Sequence, residues 1–546
     1  MSEQLWWRGA VIYQIYPRSF YDANNDGIGD IPGIIDKIDY IASLGVDAIW
    51  ISPFFKSPMK DFGYDISDYR DIDPIFGTLS DFDQLIAKAH EKGLKVMVDQ
   101  VLSHTSDQHD WFLASRENKT NDKADWYVWA DAKDDGTPPN NWLSIFGGAA
   151  WTWEPRREQY YLHNFLSSQP DLNFHNPEVQ KAALENIEFW LQRGVDGFRL
   201  DAINFCFHDA KLRDNPSKAP ELRTSIGFDA KNPYAYQYHY FNNTQDENLY
   251  FMEKIRALLD QYPGAVALGE ISSEDSLKTM AEYTQGNKRL HMGYSFDLLT
   301  EEFSASYIRR VVGSLEEKMS DGWPCWAISN HDSKRVLSRW GEGVDDQEKP
   351  YLAKMLYGLI TSLRGSVCSY QGEELGLTEA HIAYEDLQDP YGITFWPQFK
   401  GRDGCRTPHP WEQGKQHAGF SQRKPWLPVP DEHHKLAVDV QDAEASSVLN
   451  SYRHFNQWRK QHAPLCYGDI AFIDTPEPLL AFTREYEGER IYVCFNLGNT
   501  EQTLSLNIDE GKKLQPLEGH NLRQATRRDD DLILPPFSCF YATYHT

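Results

Sequence analysis

Short apolar runs that end in polar residues alternate with helical patterns over most of the chain. The first three runs lie at Val11–Pro17, Val46–Phe55 and Lys95–Val101, and apolar residues at helical spacing precede Gly45, a typical C-cap position. The five later runs are Gly197–Asp201, Val266–Glu270, His291–Phe296, Cys325–Asn330 and Ser366–Tyr370. Eight strands that alternate with helices predict an α/β fold, the (β/α)8 TIM barrel.

One connection of the predicted barrel is much longer than the others. Val101 and Gly197 are 96 positions apart, whereas a βα unit of a ~250-residue barrel needs about 30 residues. We therefore predict an inserted subdomain at residues 104–174, which leaves the C-terminal end of strand three and walls the catalytic face. A smaller irregular segment, residues 376–430, follows strand eight and is expected over the same face.

The C-terminal part of the chain loses its helical periodicity. Beyond Pro464, segments alternate or run apolar between Gly, Asp and Pro breakers, which is typical of antiparallel β structure. These segments are Leu480–Tyr486, Arg490–Asn496, Thr503–Ile508 and Leu532–Tyr544. The predicted domains are the barrel at residues 1–103 and 175–464, the inserted subdomain at 104–174 and a C-terminal β-sandwich at 465–546.

The charge balance excludes one broad class of function. The 546 residues include 81 acidic and 54 basic ones, a net charge of −27, whereas nucleic-acid binding depends on clustered Lys and Arg. A hydrophobic fraction of 41% with 17 Trp, 29 Tyr and 28 Phe excludes disorder. The lack of a signal peptide or membrane-length apolar run, with seven scattered cysteines, predicts a cytoplasmic protein with reduced thiols. We expect a monomer or homodimer without a nucleic-acid or membrane partner.

Ionisable residues occupy the predicted strand ends. They are Asp99 and His104 after strand three, Arg199 and Asp201 on strand four, Glu270 on strand five, and His331 with Asp332 after strand seven. Each carboxylate could merely cap a helix or pair with an arginine, but their joint position on one rim favours catalysis. Paired carboxyl groups without a phosphate loop, a G-x-S-x-G elbow or a zinc helix suit glycoside hydrolysis, and abundant aromatic rings suit stacking against sugars.

Several ordered motifs resemble those of a known family. The span from Asp99 to His104, Gly197-Phe-Arg-Leu-Asp201, the Glu270 strand and Asn330-His331-Asp332 are similar to the four sequence regions of the α-amylase family, glycoside hydrolase family 13. The segments that resemble its α-glucosidase and oligo-1,6-glucosidase branch are residues 7–30, 61–65, 169–173 and 402–408. The resemblance covers almost the whole chain.

The resemblance implies a retaining mechanism that depends on three carboxyl groups. Asp201 would be the nucleophile that forms a β-glucosyl-enzyme, Glu270 the acid/base, and Asp332 the residue that holds the 2- and 3-hydroxyls of the distorted sugar. We expect Arg199 to keep the pKa of Asp201 low, and neighbouring carboxylates with apolar walls to raise the pKa of Glu270. Retention also requires the Asp201 and Glu270 carboxyl groups to lie about 5–5.5 Å apart.

Other positions resemble the residues that hold the glucose unit. By resemblance, the hydrogen-bonding and stacking candidates are Asp61, Tyr64, His104 and His331. One of Arg402 and Arg406 is expected to pair with Asp61 and close the pocket floor, which implies exo action; the sequence leaves open which arginine does so. Candidate wall residues, for which a core role has equal weight, are Phe146, Phe165 and Phe296.

An acidic turn near the N-terminus has oxygen-bearing residues at alternating positions. Its residues match the first half of an EF-hand loop, but the twelfth position is Gly33 where an EF-hand needs Glu. The resemblance implies one structural Ca²⁺ or Mg²⁺ here; a plain acidic turn is the alternative. The implied ligands are Asp22, Asn24, Asp26, Ile28 (through its carbonyl) and Asp30. Ser103 stands where many α-amylases have a calcium-binding Asn, so we predict no second metal site and no organic cofactor.

The residue after the expected nucleophile bears on linkage preference. In this branch, as the resemblance implies, valine at that position accompanies α-1,6 preference and smaller residues accompany α-1,4 preference. Ala202 therefore favours α-1,4 bonds in maltose-like substrates. The alternatives are an oligo-1,6-glucosidase, a sucrose-active or mainly transglucosylating enzyme, and a non-catalytic transporter subunit. The last is disfavoured because the chain keeps the three acids and has no apolar span.

Overall fold

The computed structural model describes residues 5–223, 232–319, 321–506 and 513–545. Eight parallel strands form one sheet in the order six, five, four, three, two, one, eight, seven. A parallel bridge between Gly293 and Pro324 joins strands six and seven, so the sheet closes. The strands are Val11–Ile15, Ala48–Ile51, Lys95–Val101, Gly197–Asp201, Val266–Ile271, Met292–Ser295, Cys325–Trp326 and Ser366–Tyr370. The predicted barrel is confirmed.

The second and seventh barrel strands are much shorter than the sequence predicts. The second ends at Ile51 because Pro53 follows, and Phe55–Lys56 instead pairs antiparallel with Asp68–Ile72. The seventh keeps two residues because the Ile328 carbonyl accepts a hydrogen bond from the Arg339 guanidinium (2.6 Å) rather than from a neighbouring strand. A side chain from a later segment thus ends the strand, which no local pattern could indicate.

Amphipathic helices cover the barrel from outside. Helix Leu79–Glu91 shows the principle: a Thr78/Asp81 capping box starts it, and it buries one apolar stripe against the strands. The helices that connect successive strands are Ile31–Asp36, Ile38–Ser43, Leu79–Glu91, Pro177–Gln192, Glu247–Leu259, Ser276–Thr284, Ala305–Lys318, Val336–Arg339 and Lys349–Ser362. Inward-facing strand residues such as Ile12, Trp50 and Met97 fill the barrel interior.

The chain between strands three and four forms a small β structure. Trp129–Ala130 and Trp151–Glu154 flank Gln159–Leu162 in a three-stranded antiparallel sheet, and helix Asp110–Ser115 precedes it. An antiparallel bridge between His104 and Asp171 ties the start of this segment to its end. The segment therefore rises directly from the C-terminal end of strand three, beside the expected catalytic face.

After strand eight the chain is mostly irregular before it becomes helical again. Helices there are Pro390–Phe395, Asp431–His434, Val438–Asp442, Val448–Lys460 and Ala463–Tyr467. The His409 amide donates to the Ser19 carbonyl (2.8 Å), and the Trp411 indole donates to the Phe20 carbonyl (2.7 Å). These bonds hold the irregular segment against the loop that follows strand one.

The C-terminal part is antiparallel, as predicted. One sheet has the order Asp469–Ile473, Leu479–Tyr486, Glu489–Asn496, Ser538–His545 and Lys513–Pro516, and the second has the order Gln502–Ser505, Asp531–Leu534 and Thr526–Arg528. The predicted strand Leu532–Tyr544 is two strands, because Pro535 and Pro536 interrupt it. Residues 507 and 508 of another predicted strand lie outside the described residues. Leu514, Leu532 and Phe540 pack in one core cluster between the sheets.

Two further observations concern the whole chain. All seven cysteines lie in the described parts, are buried and form no disulfide bond. Within those same parts, no helix has the length and apolar character needed to cross a bilayer.

Candidate active site

A pocket of about 780 Å³ opens at the C-terminal ends of the barrel strands. The predicted site residues that line it are Asp61, Tyr64, His104, Phe146, Phe165, Asp201, Glu270, Phe296, Asp332 and Arg402. The predicted residues that lie behind its walls are Arg199, His331 and Arg406, all three with at most 1% of their surface exposed. Ala202 also lines the pocket, and the lining residues that sequence reasoning missed are Ile145, Phe205, Ser272 and Tyr391.

A single buried guanidinium organises the acidic centre. Arg199 Nη1 lies 2.5 Å from Asp201 Oδ1 and 3.0 Å from Asp99 Oδ1, and Nη2 binds Glu270 Oε1. Strand register produces this arrangement, since Asp99 pairs with Arg199 across strands three and four and Leu268 pairs with Arg199 across strands four and five. Asp201 and Glu270 are therefore held next to each other by the two arms of one side chain.

The two central carboxyl groups resist ionisation. Burial raises the pKa of Asp201 to about 7, against the opposing attraction of Arg199. The expected low pKa of Asp201 is therefore wrong, because the loss of water outweighs the single charge. Burial also raises the pKa of Glu270 to about 7, with Asp201 and Asp332 contributing and Arg199 opposing. The predicted upward direction for Glu270 is confirmed.

Tyr294 supports the same centre, and sequence reasoning missed it. Its hydroxyl donates to Glu270 Oε1 (3.0 Å) and accepts a hydrogen bond from Arg199 Nη2 (2.9 Å). On the opposite side of the carboxyl group, the Ala202 amide donates to Glu270 Oε2 (3.0 Å). The available signal was the polar-tipped aromatic residue on strand six, at a position that faces the barrel interior like Met292.

The two predicted histidines are buried and differ in exposure to the pocket. His104 lines it, and burial lowers the pKa of this imidazole to about 4, so the ring is neutral. His331 stacks on Tyr64 with ring centres 5.3 Å apart and planes 4° apart. The Gln14 amide lies 2.7 Å from His331 Nδ1, which assigns the proton to Nε2, near both the Tyr64 hydroxyl and Asp332. His331 therefore contacts Tyr64 both through its nearly parallel ring and through the Tyr64 hydroxyl.

The pocket floor is an ion-pair network around Arg402. Its Nη2 lies 2.8 Å from Asp61 Oδ1 and 2.8 Å from Asp389 Oδ1, and its Nη1 lies 3.1 Å from Asp332 Oδ1. Arg406 lies behind, bound to Asp332 Oδ1 (2.9 Å) and to a backbone carbonyl. The structure thus places Arg402, rather than Arg406, on Asp61.

The pKa values of the two acids at the pocket floor, Asp61 and Asp332, are shifted in opposite directions. Burial raises the pKa of Asp61 above its ordinary value, against the pull of Arg402. Burial also opposes the charge of Asp332, but His331, Arg402 and Arg406 hold the pKa of that carboxyl well below its ordinary value. The surroundings of Asp332 therefore favour its ionised form.

Asp389 is a second floor residue that sequence reasoning missed. It is fully buried, accepts from Arg402 Nε (3.0 Å) and Nη2, and caps helix Pro390–Phe395 through the Tyr391 amide (3.1 Å). Its only local signal is the Asp-Pro pair at the start of that helix. The same carboxylate thus fixes both the floor arginine and a helix whose Tyr391 lines the pocket.

One wall of the pocket is continuously apolar. Ile145, Ala202, Phe205 and Tyr234 form a packed cluster with Phe165 against it. The predicted walls Phe146 and Phe165 lie 6.1 Å apart between ring centres, and the Arg402 guanidinium lies 5.2 Å from the Phe146 ring. The other predicted wall, Phe296, lies near Tyr294. Phe146 therefore lies between the Arg402 guanidinium and the rest of the apolar wall.

The carboxylate oxygens of the acidic turn accept hydrogen bonds from nearby backbone amides. Asp22 Oδ2 accepts from the Gly27 amide (2.8 Å), and Asp30 Oδ1 accepts from the Gly33 amide (2.6 Å). Burial raises the pKa of Asp30 to about 6, and within the described residues no Lys or Arg forms an ion pair with the aspartates of the turn. In that same part of the chain, no three His, Cys, Asp or Glu side chains converge as metal ligands. Two carboxylates of the turn, Asp22 and Asp30, are thus buried with backbone donors but without a cationic partner among the described residues, a donor chemistry that fits a hard cation.

Comparisons with known proteins place the chain among sugar-active enzymes. The model of the alpha amylase catalytic domain matches residues 14–468, and that of the alpha-amylase SusG C-terminal domain matches residues 479–540. A probable alpha-glucosidase of Rhizobium meliloti (strain 1021) is 54% identical over 539 residues, 98% of this chain and 97% of its own length. An oligo-1,6-glucosidase of Parageobacillus thermoglucosidasius is 36% identical over 525 residues, 90% of this chain and 91% of its own length. The crystal structure of an alpha-glucosyl transfer enzyme, XgtA, matches with a TM-score of 0.97 at 62% identity, covering 100% of both chains.

Proposed function

We propose that this chain, which belongs to the α-amylase family of glycoside hydrolases, is a retaining, exo-acting α-glucosidase. Its substrates would be short maltose-like sugars with a terminal, non-reducing, α-1,4-linked glucose. The observation that carries this proposal is the joint binding of Asp201 and Glu270 by Arg199 at the base of a closed pocket. Two carboxyl groups bound to the same guanidinium suit attack by one and protonation by the other.

In the first step, Asp201 attacks the anomeric carbon of the bound glucose. The bond from that carbon to the glycosidic oxygen breaks, and its electron pair leaves with the oxygen, which takes the proton of Glu270. The raised pKa of Glu270 keeps that proton available near neutral pH. The Tyr294 hydroxyl and the Ala202 amide orient the Glu270 carboxyl group for this transfer.

In the second step, Glu270 removes a proton from an incoming hydroxyl. The oxygen of that hydroxyl attacks the anomeric carbon, the bond to Asp201 breaks, and glucose leaves with its original configuration. Arg199 remains beside the Asp201 carboxylate throughout and stabilises the charge that returns to it. Water as the attacking group gives hydrolysis, and a sugar hydroxyl gives transglucosylation.

The floor network supports exo action. Asp61 and Asp332 accept from the same guanidinium, that of Arg402, so their remaining oxygens are fixed for the hydroxyls of one glucose unit. Arg402 and Asp389 are paired and buried behind them, which supports a pocket that ends after one glucose unit. A substrate therefore enters with its non-reducing end first.

The α-1,4 preference rests on the small side chain of Ala202 in the apolar wall. An oligo-1,6-glucosidase and a sucrose-active enzyme are the competing specificities. Initial rates on maltose, isomaltose, sucrose and maltotriose at equal concentration discriminate among them. Faster cleavage of isomaltose than of maltose would contradict the α-1,4 assignment.

Transglucosylation is a second candidate activity, because the similar protein XgtA is described as an alpha-glucosyl transfer enzyme. The apolar wall supports it, since an apolar surface beside the glucosyl-enzyme gives water few polar groups to bind. The ratio of free glucose to new glucosides, measured during maltose turnover at high substrate concentration, tests it. A ratio of one glucosyl unit released to water per bond cleaved would exclude this activity.

We also propose that the acidic turn binds one structural Ca²⁺ or Mg²⁺. The residues that would hold the ion are Asp22, Asn24, Asp26, Ile28 and Asp30. The ion would neutralise the Asp30 carboxylate, whose pKa burial raises, and it would take no part in the chemistry because the turn contributes no side chain to the pocket lining.

A further inference from the structure

The side-chain amide of Asn232 is buried and forms hydrogen bonds through both its nitrogen and its oxygen. Only 1% of its surface is exposed. Its Nδ2 donates to the Ile145 carbonyl (2.8 Å) and to the Tyr391 hydroxyl (3.0 Å), and its Oδ1 accepts from the Tyr234 amide (3.0 Å). Asn232 does not line the pocket.

The three partners of Asn232 come from three separate segments that meet at the pocket. Ile145 belongs to the insertion after strand three, Tyr234 to the connection after strand four, and Tyr391 to the irregular segment after strand eight. Ile145 and Tyr391 line the pocket. Tyr234 packs in the apolar cluster with Ala202 and Phe205, which also line it. One amide therefore joins three loops that surround the substrate.

This apolar wall lies on the leaving-group side. Asp61, Asp332 and Arg402 grip the glucose unit at the floor, so the group attached to the anomeric oxygen extends past Glu270. The Ala202 amide binds Glu270 Oε2 (3.0 Å), which puts the start of the wall beside the proton donor. The group that leaves in the first step, and the acceptor that enters in the second, both contact this wall.

Asn232 is also linked to the floor. Tyr391 contacts Phe146 with ring centres 5.3 Å apart, and its amide donates to Asp389, which binds Arg402. The Asn232 amide thus sets how far the Tyr391 helix stands from the loop that carries Ile145. A packed interface of this kind moves between discrete arrangements rather than stretching, so loss of the amide changes the width of the leaving-group subsite.

We propose that Asn232 is a positioning residue that fixes the leaving-group subsite and thereby determines which leaving groups and acceptors the enzyme takes. The inference rests on the proposed α-glucosidase activity. Asn232 touches none of Asp201, Glu270 and Asp332, so its removal leaves the chemical groups in place. Removal of Asn232 instead changes the binding of the part of the substrate that lies beyond the glucose unit.

The test compares two ligands that occupy different parts of the pocket. Maltose needs both subsites, whereas 1-deoxynojirimycin, a monocyclic glucose mimic, needs only the glucose subsite. In Asn232→Ala we expect the KM for maltose to rise about tenfold, or ~1.4 kcal/mol, with kcat and the inhibition constant of 1-deoxynojirimycin within twofold of wild type. Asn232→Asp, which keeps the acceptor oxygen and loses the donor, should behave the same way.

A matched control is Asn140→Ala. Asn140 is another buried amide that joins the insertion to the connection after strand four, through the Leu212 carbonyl (3.2 Å), but none of its partners lines the pocket. We expect it to lower Tm without changing the maltose to 1-deoxynojirimycin selectivity. If Asn232→Ala does not fold, Tyr391→Phe removes one of its bonds alone and should raise the KM for maltose selectively. In a double-mutant cycle the two changes should be less than additive.

Two results would overturn the inference. One is an equal change for maltose and 1-deoxynojirimycin in the Asn232 and Tyr391 variants, or no change for either ligand. The other is full additivity of the two substitutions. A wild-type protein that does not cleave any α-glucoside would instead overturn the proposed function, so the two failures are distinguishable.

Discussion

Arg402 and Asp61 form a buried ion pair at the pocket floor, with 2.8 Å between Nη2 and Oδ1. Arg406, four positions further along the chain, binds Asp332 and the His331 carbonyl instead. A short helical turn at Asp403–Cys405 separates the two arginines and sends them in different directions. In the proposed exo-acting enzyme, this pair sets the point at which a bound sugar chain ends.

Loss of this pair should weaken substrate binding more than catalysis. We expect Asp61→Asn to raise the KM for maltose by roughly 10- to 100-fold, because a hydrogen bond to a charged group contributes about 1.5–3 kcal/mol. Arg402→Lys should act in the same direction, since an ammonium group cannot serve Asp61, Asp332 and Asp389 together. Steady-state kinetics on maltose provide the measurement. A larger rise in KM for Arg406→Lys than for Arg402→Lys would contradict this view of the floor.

Replacement of either central carboxyl group should remove activity and leave the fold intact. Asp201→Asn should lower kcat for maltose by at least about 10⁴-fold, as expected for the loss of a covalent nucleophile. Glu270→Gln should lower it by about 10²- to 10⁴-fold. Far-ultraviolet circular dichroism and Tm would establish that both variants fold. Retained turnover in Asp201→Asn would refute the retaining mechanism.

The pH dependence follows from the two raised pKa values. In the proposed mechanism Glu270 acts only when protonated, so kcat/KM should fall as the pH rises through its pKa of about 7. Asp201 attacks only when ionised, so kcat/KM should also fall as the pH drops through its pKa of about 7. Because the groups interact, the two limbs belong to the pair, and we expect a bell-shaped profile with its maximum near pH 7.

The variant Glu270→Gln separates the acidic limb of the pH profile from the alkaline limb. With 4-nitrophenyl α-glucoside, whose leaving group needs no proton, the alkaline limb should disappear in this variant while the acidic limb remains. A profile for the wild type that is flat between pH 5 and pH 9 would show that neither group titrates in this range.

Removal of the proposed metal ion should lower the thermal stability of the protein. Chelation by EDTA should lower the Tm of the wild type by roughly 5 °C, because an ion that binds only the folded state stabilises it. Asp22→Asn should start from a lower Tm and respond little to EDTA. Asp36→Asn, an exposed carboxylate on the next helix, is the control and should respond like the wild type. An identical EDTA response in Asp22→Asn and the wild type would argue against this site.

Ala202, on which the proposed linkage preference rests, has an unusual backbone geometry. Its φ of 38° lies in the left-handed region, where a β-branched side chain is strained. Ala202→Val should therefore cost about 1–3 kcal/mol of folding free energy and shift the ratio of isomaltose to maltose cleavage upwards. Thermal unfolding and initial rates on the two disaccharides measure both effects. An unchanged ratio would remove Ala202 from the specificity argument.

The barrel and its acidic centre were predictable because both follow from strand periodicity. Asp201 and Glu270 are the ends of apolar runs, and parallel strands bring their carboxyl ends to one rim. The same rule predicted where Asp332 would lie. Sequence spacing thus suffices wherever a site residue belongs to a regular element.

The rest of the site depends on irregular chain and on burial, which sequence patterns do not report. Asn232 and Asp389 act through contacts to residues more than ten positions away, on segments without periodicity. The pKa of Asp201 was predicted in the wrong direction because the neighbouring charge is readable from the strand and the loss of water is not. Strand seven was predicted too long for a related reason, because the Arg339 guanidinium from a later segment donates a hydrogen bond to the Ile328 carbonyl.

The sharing of one guanidinium by Asp99, Asp201 and Glu270 also limits how this protein can change over evolutionary time. Any single substitution at Arg199 removes the counter-charge of three acids at once, and a lysine there could not reach all of them. Drift at one of these four positions is therefore coupled to the other three.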